Sequence, residues 1–384
     1  MKTNTPGPRN EKDSKPPRMI AFYLPQFYPT PYNDEWWGKG FTEWTNVVQA
    51  RPHFKGHYQP HLPADLGFYD LRLPEAREAQ AELARQYGIH GFCYYHYWFN
   101  GQRILERPLD AVLASGTPDL PFCICWANED WSRTWEGHRD KLLLAQSYSP
   151  KDDLAHIQYL LPTLSDPRYI QVEGKPLVLI YKVELMPDPK ATAELWRREA
   201  EKAGLSGLFL VRVESNSVHG NTSPASIGFD AAVRFQPNFT VVHPPTGIKA
   251  STGRKIREEY PGLYRFLRRF MPPPPVKDIV YTYENIYRRW RDDPMQPERH
   301  FECVTPMWDN SARRHIGATI IMNSTPQLYE QWLREAVART APDSAQEKTV
   351  FINAWNEWAE GCHLEPCQKW GTAYLEATQR VYRG

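Results

Sequence analysis

The sequence predicts an α/β fold, a closed (β/α)8 TIM barrel with long loops after its strands. Three observations predict it. Eight short apolar, β-branched or aromatic runs recur along the chain, helical patterns separate most of them, and the longest loops follow strands. The runs are residues 19–24, 91–98, 121–126, 177–181, 208–213, 231–235, 303–308 and 349–354. Strands alternating with helices pair in parallel through crossovers. Eight of them fit a closed barrel better than an open doubly wound sheet, which is the alternative.

The helices follow in order. Residues 74–87 place a proline at a first-turn position and then Ala76, Ala79, Leu83, Ala84 and Tyr87 in a stripe of helical period. Residues 152–164, 191–203, 327–339 and 373–382 behave similarly. Three loops exceed a minimal barrel: 26–61 after strand one, 126–148 after strand three, and 236–299 after strand six, which carries a proline run at 272–275 and a basic helical stretch at 283–291. Loops of this length are usually functional or disordered, and in barrels the loops after strands build the active-site face. The expected organisation is a disordered polar tail over residues 1–17 and a single catalytic barrel over 18–384, with a long insertion at about 236–300.

Composition narrows the function. Among 384 residues, 46 are basic and 45 acidic, a net charge of +1, so nothing suggests electrostatic capture of nucleic acid. No apolar run is long enough to span a bilayer, and the tail lacks the apolar core of a secretory signal. Six scattered cysteines (93, 123, 125, 303, 362 and 367) read as reduced thiols, and the expected location is cytoplasmic. The unusual feature is 14 Trp and 21 Tyr, many beside Asn, Asp, Glu or His. Such rings stack on the C–H faces of sugars while their polar neighbours bond the hydroxyls, although rings also fill large cores. The expected partner is an oligo- or polysaccharide.

Polar residues gather where the strand runs end. Tyr23 closes the first, Tyr95, His96 and Trp98 the second, and Trp126-Ala127-Asn128-Glu129 the third. Glu214 follows the fifth, Trp308-Asp309-Asn310 the seventh, and Asn356-Glu357-Trp358-Ala359-Glu360-Gly361 the eighth. In one barrel these ends converge on one pocket. Tyr23, Tyr95, His96, Trp98, Trp126, Asn128, Glu129, Glu214, Trp308, Asp309, Asn310, Asn356 and Trp358 are therefore expected sugar contacts. Trp126, Asn128, Glu129, Asp309 and Asn310 are expected to line the same pocket as the acids.

Cleaving an acetal needs a proton for the leaving oxygen and a second group at the anomeric carbon, which paired carboxylates supply. Glu357 and Glu360 are three apart and share a face of a helical turn. Buried among Trp355, Trp358 and His363, one of them would have a raised pKa. The alternative is a capping turn with solvated acids. His96, His363, Asp130 and Asp309 could meet around a metal, but no HExxH or paired-His spacing occurs. The expectation is no metal and no cofactor. No GxGxxG, GxxxxGKS, GxSxG or DxD motif is present, which argues against nucleotide-dependent chemistry.

Three segments carry a resemblance: Ile20-Ala21-Phe22-Tyr23-Leu24-Pro25-Gln26-Phe27-Tyr28-Pro29, Gly40-Phe41-Thr42-Glu43-Trp44-Thr45-Asn46 and Asn356-Glu357-Trp358-Ala359-Glu360-Gly361. Together they resemble the WbsX-like family, named as glycosyltransferases of lipopolysaccharide O-antigen loci and related to the endo-α-mannosidases and endo-α-mannanases of glycoside hydrolase family 99. The resemblance runs from about Arg18 to the C-terminus. It implies a metal-independent barrel enzyme that cleaves α-linked polysaccharide with retention. By resemblance, Glu357 is the base that deprotonates the substrate's 2-hydroxyl, which attacks the anomeric carbon and gives a 1,2-anhydro sugar. Glu360 is the acid for the leaving group and then the base for water. A nucleophile supplied by the substrate removes the need for a carboxylate at covalent distance, so two acids on one turn suffice. Family 99 has His where this chain has Ala359. Three functions stay open: an endo-acting glycoside hydrolase or transglycosylase, an O-antigen or capsule glycosyltransferase, and a carbohydrate-binding protein that has lost catalysis. The intact acid pair favours the first.

Overall fold

Eight parallel strands close on themselves in a computed structural model of the chain, which describes residues 16–132, 142–215, 222–239, 277–294, 299–340 and 348–384. The strands are β1 (Arg18–Tyr23), β2 (Gly91–Phe99), β3 (Phe122–Trp126), β4 (Lys175–Ile180), β5 (Phe209–Val213), β6 (Ala231–Arg234), β7 (His300–Val304) and β8 (Thr349–Ile352). Each pairs in parallel with the next, and β8 returns to β1 in the register Arg18↔Thr349 to Ala21↔Ile352. The fold is the (β/α)8 barrel that the alternation predicts. Inside it Phe22 packs against Tyr95 and Phe351, each at 5.6 Å between ring centres, and against Phe235 at 5.2 Å. All six cysteines are buried free thiols.

The long helices start earlier than the apolar stripes suggest, because a polar cap and a proline precede each stripe. In Pro150–Leu164, Pro189–Lys202 and Pro326–Arg339, the side chains of Ser149, Asp188 and Thr325 accept from the backbone N–H of Asp152, Ala191 and Leu328. A proline just inside the first turn loses no bond that the helix would make. The predicted helices at 74–87 and 373–382 appear as Pro74–Gln86 and Ala373–Arg383. Between β5 and β6 the described residues form only a short 3₁₀ turn, Pro224–Ile227.

Strand seven departs from prediction. It ends at Val304, and Trp308-Asp309 instead pairs antiparallel with Thr319–Met322, which in turn pairs with Ile279–Thr282. Asp309 and Asn310 thus lie in a loop beyond the barrel strand. Most of the tail over 1–17 and the middle of the 236–300 insertion lie outside the described residues. The basic stretch at 283–291 is within them, as the helix Tyr283–Asp292.

Candidate active site

The acid pair sits just past β8. Asn356-Glu357 pairs antiparallel with Cys362-His363, and Trp358–Glu360 between them form one 3₁₀ turn. The turn is the tip of a hairpin rather than an α-helix, but 3₁₀ spacing still brings residues three apart to one side. Gly361 closes it at φ +53°, and a Cβ there would lie 2.9 Å from the Asp309 Cβ and 3.0 Å from its carbonyl oxygen. Backbone conformation and close approach both require glycine. That approach seats the loop after β7 on the acid turn and brings Arg313 with it.

Arg313 donates to three carboxylates. Its Nη2 reaches Glu357 Oε2 at 3.0 Å, its Nη1 reaches Glu360 Oε1 at 2.8 Å, and its Nε reaches Glu43 Oε2 at 3.1 Å. All three acids are buried. One guanidinium cannot neutralise three carboxylates, so repulsion and desolvation favour a retained proton. Burial, together with the charges of Glu360 and Glu43, pushes Glu357 up to about 8 against the opposing pull of Arg313. Glu360 is also raised, again chiefly by burial. Near neutral pH the cluster as a whole holds a proton and a negative charge, which is the state an acid–base pair needs.

The cluster forms one wall of a cavity of about 390 Å³ at the strand C-terminal end. Aromatic rings line much of the rest: Trp37 and Phe41 from the loop after β1, Tyr95 and Tyr97 on β2, Trp131, Tyr181, Phe235 and Trp308. Glu129, Lys182, Asn310 and Asn353 supply polar groups. Burial raises the Glu129 carboxyl against the opposing charge of Lys182.

Of the residues expected at a sugar cleft, Glu357, Glu360, Tyr95, Glu129, Trp308 and Asn310 line this cavity. The others do not, for three reasons. Tyr23, His96, Trp98 and Trp126 point out of the barrel, because strand residues alternate between faces. Tyr23 bonds Gln80 on the helix Pro74–Gln86, His96 pairs with His156 at 2.9 Å, Trp98 donates to Asp152, and Trp126 packs 5.8 Å from Trp196. Asn128 and Asn356 tie loops together. Asn128 bonds both backbone groups of Lys182, and Asn356 does the same to Leu24, each imitating a strand neighbour. Asp309 accepts from Gln59 and bonds His57, Glu214 pairs with Arg212, and Trp358 stacks on His363 and donates to Glu365. Among the described residues no three His, Cys, Asp or Glu side chains gather as a metal ion would require: His96 pairs with His156, His363 meets His61, and Asp130 accepts from Gln146.

Sequence reasoning assigned no role to Arg313, Glu43 or Tyr97. Tyr97 had a signal, since it shares the parity of Tyr95. Glu43 lies inside one of the segments that carry the resemblance, with nothing local to mark it. Arg313 has no local signal at all.

Fold and site together define a (β/α)8 barrel with an aromatic-lined cleft and a buried acid pair at the C-terminal ends of its strands. A GH99 endo-α-mannosidase from Bacteroides thetaiotaomicron, solved with bis-tris-propane, superposes with a TM-score of 0.54 at 14% identity, over 95% of this chain and 97% of that one. A solved glycoside hydrolase-like protein superposes with a TM-score of 0.60 at 14% identity, over 99% and 97%. At these identities the likeness establishes the fold. The chain belongs to the family described as Glycosyltransferase WbsX, whose profile matches residues 19–378. It is 40% identical over 370 residues to WxcX proteins from two strains of Xanthomonas campestris pv. campestris, described as uncharacterized. The match covers 96% of this chain and 50% of theirs, so the chain spans about half the length of those relatives.

Proposed function

We propose that this chain is an endo-acting, retaining glycoside hydrolase that cleaves an α-linked bacterial polysaccharide at the Glu357/Glu360 pair without a metal. The observation that supports this most is the placement of both acids in the cleft wall on one guanidinium, buried enough for the cluster to hold a proton near neutral pH. In this reading Glu357 takes the proton of the sugar's 2-hydroxyl, whose oxygen closes onto the anomeric carbon as the glycosidic bond breaks. Glu360 protonates the departing oxygen. It then takes a proton from water as water opens the 1,2-anhydro ring, and the 2-oxygen recovers its proton from Glu357. These roles follow the family resemblance; the titration alone raises both groups. Arg313 holds the two carboxylates in fixed orientation, and orientation of this kind is a large part of catalytic power. The solved endo-α-mannosidase of the same fold supports cleavage within a chain.

The family description favours a second reading, in which the same site passes the glycosyl unit to a sugar hydroxyl or takes it from an activated donor. Product analysis on a panel of α-linked bacterial polysaccharides, with and without nucleotide sugars, separates the two. New reducing ends without nucleotide support hydrolysis. Products that appear only with a nucleotide sugar overturn it in favour of transfer. Binding with no product in either condition leaves a carbohydrate-binding protein.

A further inference from the structure

Glu43 is buried as deeply as the acid pair, yet its partners are incomplete. It opens the short helix Glu43–Gln49 in the loop after β1. Its neighbour Trp44 anchors that helix, donating from Nε1 to the Tyr69 carbonyl at 2.8 Å and packing 5.6 Å from Trp358. With Trp44 turned inward, the Glu43 side chain faces the cleft. The residue is 3% exposed. Oε2 accepts from Arg313 Nε at 3.1 Å, and Oε1 has no hydrogen-bond partner among the described residues. Glu43 is among the groups lining the cavity that holds Glu357 and Glu360.

Oε1 opens to the cleft, so a ligand that fills the cleft displaces the water serving this oxygen and must supply a donor in its place or leave a carboxylate oxygen unsatisfied. The donor must arrive through the cleft, at the point where Arg313 also holds the two acids. A sugar hydroxyl meets the requirement, and an ether, ester or carboxylate oxygen there would place acceptor against acceptor. We infer that Glu43 is a substrate-contacting specificity residue, whose free oxygen accepts a hydrogen bond from an unsubstituted hydroxyl of the sugar seated at the acid pair.

The inference rests on the cleft being a glycan site, but not on catalysis. Its test takes the shortest fragment of whichever panel polysaccharide the wild-type protein cleaves or binds, together with its mono-deoxy forms, against the wild type and Glu43→Gln. The amide can still accept from Arg313 while losing the charge. The expected result is a fall of about 10²-fold in kcat/KM for Glu43→Gln on the intact fragment, at an unchanged melting temperature. One mono-deoxy form should be poor for the wild type and no worse than the intact fragment for the variant. That loss of discrimination is the signature of a paired contact, which a merely structural role would not produce. A variant within about threefold of wild type, or one that keeps full discrimination against every deoxy form, overturns the inference. If the wild type binds but turns nothing over, the same comparison is read from saturation-transfer NMR: an intact contrast sustains Glu43 while the catalytic reading fails. Should the wild type neither bind nor cleave any member of the panel, both fall.

Discussion

Two groups of buried carboxylates lie on opposite sides of the Trp358 turn. Behind it, Glu365 is 2% exposed and accepts from Trp358 Nε1 at 2.6 Å, Gln80 Nε2 at 2.7 Å and the Tyr69 hydroxyl at 2.9 Å. In front of it, Glu357 and Glu360 share Arg313 with Glu43. Burial raises Glu365 to about 7 and Glu357 to about 8. Depth and a perturbed pKa therefore do not distinguish a structural carboxylate from one placed for chemistry, although both features cluster at functional sites. Partners and access do. Glu365 is surrounded by neutral donors and does not line the cleft, whereas the acid pair leans on one shared cation and faces that open cleft.

The largest effect that would sharpen this contrast is on rate. Glu357→Gln and Glu360→Gln should each lower glycan cleavage by about 10²–10⁴-fold with the fold retained, since the amide keeps the shape but cannot exchange the proton. Substrates with good leaving groups should partly rescue Glu360→Gln but not Glu357→Gln. Equal rescue of both in steady-state assays would show that the roles are misassigned. Glu365→Ala should behave in the opposite way. It strips an acceptor from Trp358, Gln80 and Tyr69, so stability should fall by about 3 kcal/mol in denaturant unfolding while turnover per folded molecule stays near wild type. A stable Glu365→Ala protein with turnover down by orders of magnitude would break the comparison.

A smaller effect lies in pH. The Glu357 carboxyl moves from an ordinary 4.5 to about 8 on folding, so between those values the folded protein keeps a proton that the unfolded chain releases. The resulting stabilisation is full below 4.5 and is lost as pH rises through 8. Unfolding free energy should therefore decline between pH 6 and 8, at most by about 1.4 kcal/mol per pH unit for one proton. The proton belongs to the coupled pair, so Glu357→Gln and Glu360→Gln should each alter that slope, and a slope unchanged in both would place the proton elsewhere. The smallest effect concerns a residue outside the cleft. Trp126→Phe should cost about 1 kcal/mol of stability through looser packing near His156 and Trp196, and leave glycan affinity within about twofold.

How much was legible in the sequence depends on the range of the signal. Hydrophobic runs, helical stripes and proline-led helix starts are local, and from them the eight strands and their order follow. Placement of Glu357 and Glu360 after the last strand follows as well. Parity along β2 is local too: Tyr95 and Tyr97 must share one face, and His96 and Trp98 the other. Which face looks inward is not local, because it depends on how the sheet curls and where helices such as Pro150–Leu164 bring His156 and Asp152 to meet the outer side. Polar residues at strand ends read alike as contacts or as ties, and only the partner decides, as it does for Asn128 on Lys182 and Asn356 on Leu24.

The sequence by itself determined a parallel α/β barrel, its long strand-end loops and an acid pair after the eighth strand, because backbone periodicity and capping act over a few residues. Tertiary structure alone decided that Glu43, Arg313, Glu357 and Glu360 meet. Their loops follow β1, β7 and β8, which become neighbours only when β8 pairs with β1 and the barrel closes. Until then nothing in the chain tells Arg313 from any other arginine, since its importance is the charge it meets on arrival.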